Sequence, residues 1–217
     1  MAYRARGERK IEILDAVIAL AEAEGFGAAR GRRVATHVGI SPGNLHHLFE
    51  SASGLKRNAF ELYTERAQNR LEAENAGLPP MEQLVSYLAT TALGESSGSR
   101  RLWSSAVDES ANDPEFAEIY SRAAKQLLDR TADLLQIVSD GRLSRDQAYS
   151  AAARLTTFAV GITATGSASL VLPASDVLNH IHVMIGYELS VGLEGAGGYD
   201  LNGSVGAAVS PPPPPPG

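Results

Sequence analysis

The stretch Arg9–Ser51, RKIEILDAVIALAEAEGFGAARGRRVATHVGISPGNLHHLFES, carries the apolar spacing of three consecutive helices. Ile13, Leu14, Val17, Leu20 and Ala21 recur at steps of three and four, which aligns them on one stripe of an α-helix. That helix is predicted to stop at Gly25, a residue suited to a left-handed cap, with Phe26 packing back. Two shorter clusters follow, Val34, Ala35 and Val38, then Leu45, Leu48 and Phe49, separated by Gly39-Ile40-Ser41-Pro42. Ala35 is small enough for two helices to approach, Gly39 permits a tight turn, and Ile40 plugs the gap between them. Ser41 then caps a helix whose first residue is Pro42. In that helix Gly43, Asn44, His46 and His47 are small or polar, whereas Leu45, Leu48 and Phe49 point inward. A short helix divided in this way is built to present one face outward.

These residues resemble the DNA-binding domain of TetR-type regulators. Proteins of that family have an ILDAA-type first helix ending in Gly followed by Phe or Tyr, and then IA..AGVS-x-G-x-LY-x-HF. The corresponding residues are ILDAV from Ile13, Gly25-Phe26, VATHVGIS from Val34 and PGNLHHLF from Pro42. The match runs through all three helices without a gap. It implies an all-α protein with an N-terminal three-helix helix-turn-helix DNA-binding domain over residues 1–52. A connecting helix (53–75) and a helical-bundle ligand-binding and dimerisation domain (81–193) would follow.

The same resemblance implies a ligand-responsive transcription regulator, by default a repressor, acting as a homodimer on a palindromic double-stranded operator. The alternative is a helical ligand-binding or scaffold protein without specific DNA binding, for which the departures at Ala29, His46 and Ala52 leave room. The helix Pro42–Leu48 would enter the major groove together with Ser41. Asn44 would face an adenine edge, Gly43 would let the backbone approach the duplex, and His47 would reach a base or a phosphate. His46 stands where the family usually has a phosphate-binding Tyr. Three other positions depart from the pattern: Ala29 replaces a helix-capping Thr, Leu48 replaces His or Tyr, and Ala52 replaces a phosphate-contacting Lys. Lys56 and Arg57, one turn later, are candidates to take over from that Lys.

Arg30, Arg32 and Arg33 gather at the beginning of the second helix, where the helix dipole disfavours positive charge. Phosphates would supply the counter-charge, and a solvated basic face is the alternative. The net charge of -6 divides unevenly: Met1–Asn58 holds nine Lys/Arg against six Asp/Glu, and the remainder ten against nineteen. A mildly basic N-terminal part on an acidic body fits one nucleic-acid face.

Helical spacing continues beyond residue 52. A long helix is predicted from about Ser53 to Glu74, broken by Gly77-Leu78-Pro79-Pro80. Leu84, Val85, Leu88 and Ala92 mark one later segment, and Leu102, Trp103, Ala106 and Val107 the next. Asp113 and Pro114 read as N-cap and first residue of a helix ending at Asp140-Gly141. Ser144 and Gln147 form a capping-box pattern opening a helix to about Leu170, and a last helix spans about Ser175 to Gly192. The tail 194–217, rich in Gly and Pro, is expected to be disordered.

In the resembled family the effector lies inside the C-terminal bundle, which makes Tyr87, Trp103, Phe116, Tyr120, Thr157 and Phe158 candidates to bind a partly apolar small molecule, with plain core packing as the alternative. The last two long helices of that family form the dimer, so Ala152, Leu155, Ala159, Ile181, Ile185 and Leu189 are interface candidates, although packing within one subunit would use the same residues. The chain has no cysteine, no run apolar enough to span a membrane and no signal-peptide pattern, so a cytoplasmic location is expected. No nucleophile elbow, phosphate loop or His-Glu metal spacing accompanies its Ser, His and Asp residues. His180 and His182, two apart on a helix, make a poor metal pair. Catalysis, cofactors and metals are therefore not expected.

Overall fold

The computed structural model describes residues 2–49, 51–166 and 172–191. Among these there are nine helices and no strands: α1 (Ala2–Glu24), α2 (Gly31–Val38), α3 (Pro42–Phe49), α4 (Ala52–Asn75), α5 (Pro80–Leu93), α6 (Ser97–Asn112), α7 (Pro114–Val138), α8 (Arg145–Gly166) and α9 (Ala174–Val191). The predicted extension of the eighth helix to Leu170 and the tail 194–217 lie outside the described residues. No helix among the described residues is long and apolar enough to cross a membrane.

Local signals account for most of the boundaries. Asp113 accepts from the backbone N–H of Glu115 at 3.1 Å and of Phe116 at 3.2 Å, satisfying donors that the first turn of α7 would otherwise leave orphaned. The Ser144–Gln147 capping box forms in both directions, at 2.9 and 3.2 Å. Ser51 caps α4 by accepting from Gly54 N–H at 2.9 Å. Gly25 differs from its expected left-handed cap: φ is 86° but ψ is 164°, and the chain enters a single 3-10 turn, Phe26–Ala28. The turn packs on α6: a Cβ on Gly25 would lie 3.1 Å from Ser105 Cβ, and Phe26 N–H donates to Ser105 Oγ at 3.1 Å.

Two apolar cores organise the helices. The first gathers Ile13, Val17 and Ala21 of α1, Phe26, Val34 of α2, Leu45 and Phe49 of α3, Leu55 and Phe60 of α4, Leu102 of α6 and Phe116 of α7. The helix-turn-helix therefore does not close its core by residue 52; α4, α6 and the first turn of α7 complete it. Phe60 is the hub, stacked on Phe116 at 4.8 Å between centroids and edge-on to Trp103 at 5.3 Å and Phe26 at 5.9 Å. Tyr63 borders the same cluster, and burial, aided by the Glu95 and Glu22 carboxylates, pushes its phenol up to about 12. It therefore stays neutral beside the rings.

The second core is aliphatic: Leu84 and Leu88 of α5, Leu134 and Leu135 of α7, Leu143, Ala152, Leu155 and Ala159 of α8, and Val177, Ile181 and Ile185 of α9. Among the described residues, only α7 contributes fully buried side chains to both cores, Phe116 at one end and Leu135 at the other. Val107, assigned to an apolar stripe on spacing alone, is instead 51% exposed on the outer side of α6.

Candidate nucleic-acid interface

The α2–α3 unit is built from short-range signals set on the first core. Gly39 adopts the left-handed conformation, φ 71° and ψ 36°, and Ile40 N–H donates to Ala35 O at 2.9 Å, which turns the chain sharply between the helices. Ser41 Oγ then accepts from Asn44 N–H at 3.2 Å and caps α3. Leu45 and Phe49 anchor α3 in the first core, and Leu48 packs partly against it. Ser41, Pro42, Gly43, Asn44, His46 and His47 are all exposed. The outward face expected of this helix is therefore the face it presents.

The cations expected at this surface separate into two kinds. Arg30 and Arg32 are exposed and form no ion pair with the described residues. They border a shallow groove of about 460 Å³ that is also lined by Leu20, Arg33, Thr36 and His37. Arg30 is the N-cap of α2 and supplies no side-chain cap, while Ala29 beside it is fully buried. Arg33, by contrast, forks onto Glu24 at the end of α1, one arm at 2.8 Å. Its hydrogen bond holds the Glu24 carboxyl below the usual carboxylate range, and Glu24 raises Arg33 in turn. Thr36 and His37 were not singled out in the sequence, since nothing in α2 alone says which of its polar positions borders this groove.

Lys56 is held within the chain: its Nζ lies 2.7 Å from Glu109 Oε1 of α6, with only 17% of the side chain exposed. Arg57 is likewise directed inward, 3.1 Å from both carboxylate oxygens of Asp113 and 3.0 Å from Glu115. Both belong to the corner where α4, α6 and α7 meet.

The six expected ligand contacts are not brought together. Phe116, Trp103 and Tyr120 belong to the first core, around Phe60, whereas Tyr87 and Phe158 belong to the second. Thr157 is exposed on α8. All six lie on helical apolar stripes or beside them, but α6 and the start of α7 pack on the first core, whereas α5 and α8 pack on the second.

The expected dimer residues lie in the second core. Ala152, Leu155, Ala159, Ile181 and Ile185 are at most 1% exposed and pack inside one subunit, with Leu189 partly buried against them. Arg154 joins the same two helices by a fork onto Glu188, 2.6 Å from Nε to Oε1, and Glu188 is 5% exposed. The open sides of α8 and α9 instead carry Val160, Val183, Tyr187 and Val191, at 42, 63, 65 and 45% exposure. Both faces of these helices are rich in small or apolar residues, so spacing did not reveal which one turns inward.

No protein-family model matches the chain, and no curated protein matches it. Solved structures do. A transcriptional regulator from Saccharomonospora viridis, in complex with choline, is similar with a TM-score of 0.74 at 20% identity, over 83% of this chain and 97% of that one. A protein described as a TetR-family transcriptional regulator, from Rhodococcus sp., gives 0.70 at 20% identity, over 84% and 99%. A transcriptional regulator from Pseudomonas aeruginosa PAO1 gives 0.73 at 15% identity, over 87% and 94%. With a helix-turn-helix at its N-terminus and a helical bundle behind it, the chain has the fold of the TetR-type transcription regulators.

Proposed function

We propose that this protein is a transcription regulator that grips an operator duplex as a twofold homodimer and changes its grip when a small organic molecule binds its C-terminal helices. One observation carries the reading: the outward face Ser41–His47 stands on a rigidly anchored short helix, with Arg30 and Arg32 uncommitted beside it. A helix held from behind and polar in front suits a major groove, and free cations alongside suit the phosphates that flank it. Gly43 adds support. A Cβ there would meet only Ser41 Oγ at 3.9 Å, so nothing inside the chain demands glycine, whereas close approach of a duplex would.

A palindromic operator needs two such helices, and the open face of α8 and α9 suits a second copy. Val183, Gly186, Tyr187 and Ser190 follow one another at helical spacing on the side of α9 away from Ile181 and Ile185, and a Cβ at Gly186 would meet nothing within 4 Å. On α8 the exposed Tyr149, Thr157 and Val160 share the corresponding side. Small residues between large ones let two helices of one copy pack against those of the other. The interface therefore consists of these residues and not of the buried ones named from the sequence.

The effector is a partly apolar small molecule contacting the second core near Tyr87 and Phe158. The neighbour from S. viridis holds choline, which sets the scale of ligand that this fold accommodates. Such a molecule shifts the grip only by the difference in its affinity for two subunit conformations. Repression is the default outcome.

The test is selection of bound duplexes from a random-sequence pool by the full chain, followed by sedimentation of the protein with and without Tyr187→Glu. Enrichment of a palindrome by a dimer, and loss of both dimer and full-site binding in the variant, is the expected result. A wild-type chain that enriches no sequence, or that sediments as a monomer, overturns it.

A further inference from the structure

Phe49 ends α3 and Ser51 caps α4, so the first turns of α4 are the backbone support of the recognition helix. Two half-buried ion pairs hold those turns. Lys56 Nζ lies 2.7 Å from Glu109 of α6, the two side chains 17 and 22% exposed. Arg57 Nη1 lies 3.1 Å from Asp113, the two side chains 22 and 15% exposed. Asp113 is also the N-cap of α7, its Oδ1 accepting from the backbone of Glu115 and Phe116. One carboxylate thus fastens the start of α7 and the start of α4 together. One residue pair further in, Phe116 of α7 stacks on Phe60 of α4 at 4.8 Å.

We infer that Lys56 and Arg57 are positioning residues that set the angle of the recognition helix through Glu109 and Asp113, and that they are not phosphate contacts. The inference rests on the regulator reading above. Its physical basis is that a half-buried cation held by a carboxylate from another helix is already neutralised and partly desolvated. Transferring it to a phosphate would leave that carboxylate buried and unpaired. The unit that meets DNA then extends beyond residue 52: α6 and the first turn of α7 move with α1–α4, and the remainder of α7 links that unit to the second core. Lys56 and Arg57 therefore affect binding through geometry, whereas Arg30 and Arg32 affect it through charge.

Glu109→Gln separates the two mechanisms, because on charge alone the loss of a carboxylate would leave binding to a polyanion unchanged or strengthen it, whereas loss of the joint weakens it. Asp113→Asn does the same while keeping a side chain able to cap α7. On the duplex selected by the wild type, each variant is expected to bind roughly tenfold more weakly with an unchanged salt slope. Lys56→Gln should behave alike, and the charge exchange K56E with E109K should recover affinity. In the free proteins, hydrogen exchange should quicken over residues 42–57 and not over α9. The inference is overturned if Lys56→Gln flattens the salt slope by about 1 while Glu109→Gln binds as the wild type does. It is equally overturned if exchange over residues 42–57 is unaltered in the variants. A wild type that selects no duplex sinks the regulator reading instead, and the exchange measurement still decides the joint.

Discussion

Arg30 and Arg32 at the start of α2 and Lys56, Arg57, Arg66 and Arg70 on α4 carry the same charge, yet the two helices use it differently. Every one of those α4 cations meets a carboxylate from elsewhere in the chain: Glu109, Asp113, Asp15 and Glu95, respectively. On α2, Arg30 and Arg32 meet none among the described residues. The difference follows from location. Helix α4 threads between α1, α6 and α7 and has acidic neighbours on several sides, whereas α2 rests on α1 and α3 and turns its polar side to solvent. A cation already paired within the protein has few counterions left to release on meeting DNA, while a free one keeps that driving force. Near the helix-turn-helix a basic residue is paired or left free according to what stands opposite it.

If α4 is a structural element and the α2–α3 face a binding one, substitutions should separate stability from recognition. The largest effect is expected in α4. Phe60→Ala removes the ring that touches Phe26, Trp103, Phe116 and Tyr120, and should cost about 3–5 kcal/mol in urea unfolding. A loss below about 1 kcal/mol would mean that the first core does not depend on this hub. Next comes Asn44→Ala on the exposed face of α3. It should lose about 1–3 kcal/mol of preference for the selected duplex over a scrambled one. Its unfolding midpoint should stay unchanged, and a stability loss without a binding loss would reverse the roles assigned to the two helices.

The smallest effect converts a paired cation into a free one. Glu24→Gln releases Arg33 beside Arg30 and Arg32, and should steepen the salt dependence of duplex binding by up to about one unit of slope. In the wild type the sign with pH follows from the direction of the shift. The hydrogen bond from Arg33 lowers the Glu24 carboxyl, so the fork is present above the ordinary carboxylate range and is lost as pH falls through the lowered value. Acidification below that range should therefore bring the wild-type slope toward that of Glu24→Gln. A slope that is identical in both proteins at neutral pH would show that Arg33 does not respond to its partner.

Local signals were legible wherever a few adjacent residues suffice. The αL turn at Gly39, the Ser41 cap, the Asp113-Pro114 start and the Ser144–Gln147 box each depend on atoms within about one helical turn. The outward face of α3 was equally legible, since a single stripe of Leu45 and Phe49 leaves only one side for Asn44 and His47. Legibility failed where two readings share one pattern. On α8, Ala152, Leu155 and Ala159 lie on one side and Tyr149, Thr157 and Val160 on another, and both stripes satisfy helical spacing. On α7, an unbroken apolar stripe conceals the passage from one core to the other between Phe116 and Leu135.

By itself the amino-acid sequence determined the succession of helices, their principal caps and the polar face offered by Ser41–His47, because these depend on periodicity and on hydrogen bonds between near neighbours. Only the tertiary structure decided that Lys56 faces Glu109, that Trp103 and Tyr120 gather around Phe60 and that Ile181 and Ile185 turn inward. Those outcomes join residues far apart in the chain, and their free energy comes from desolvation and packing that exist only once the helices have met.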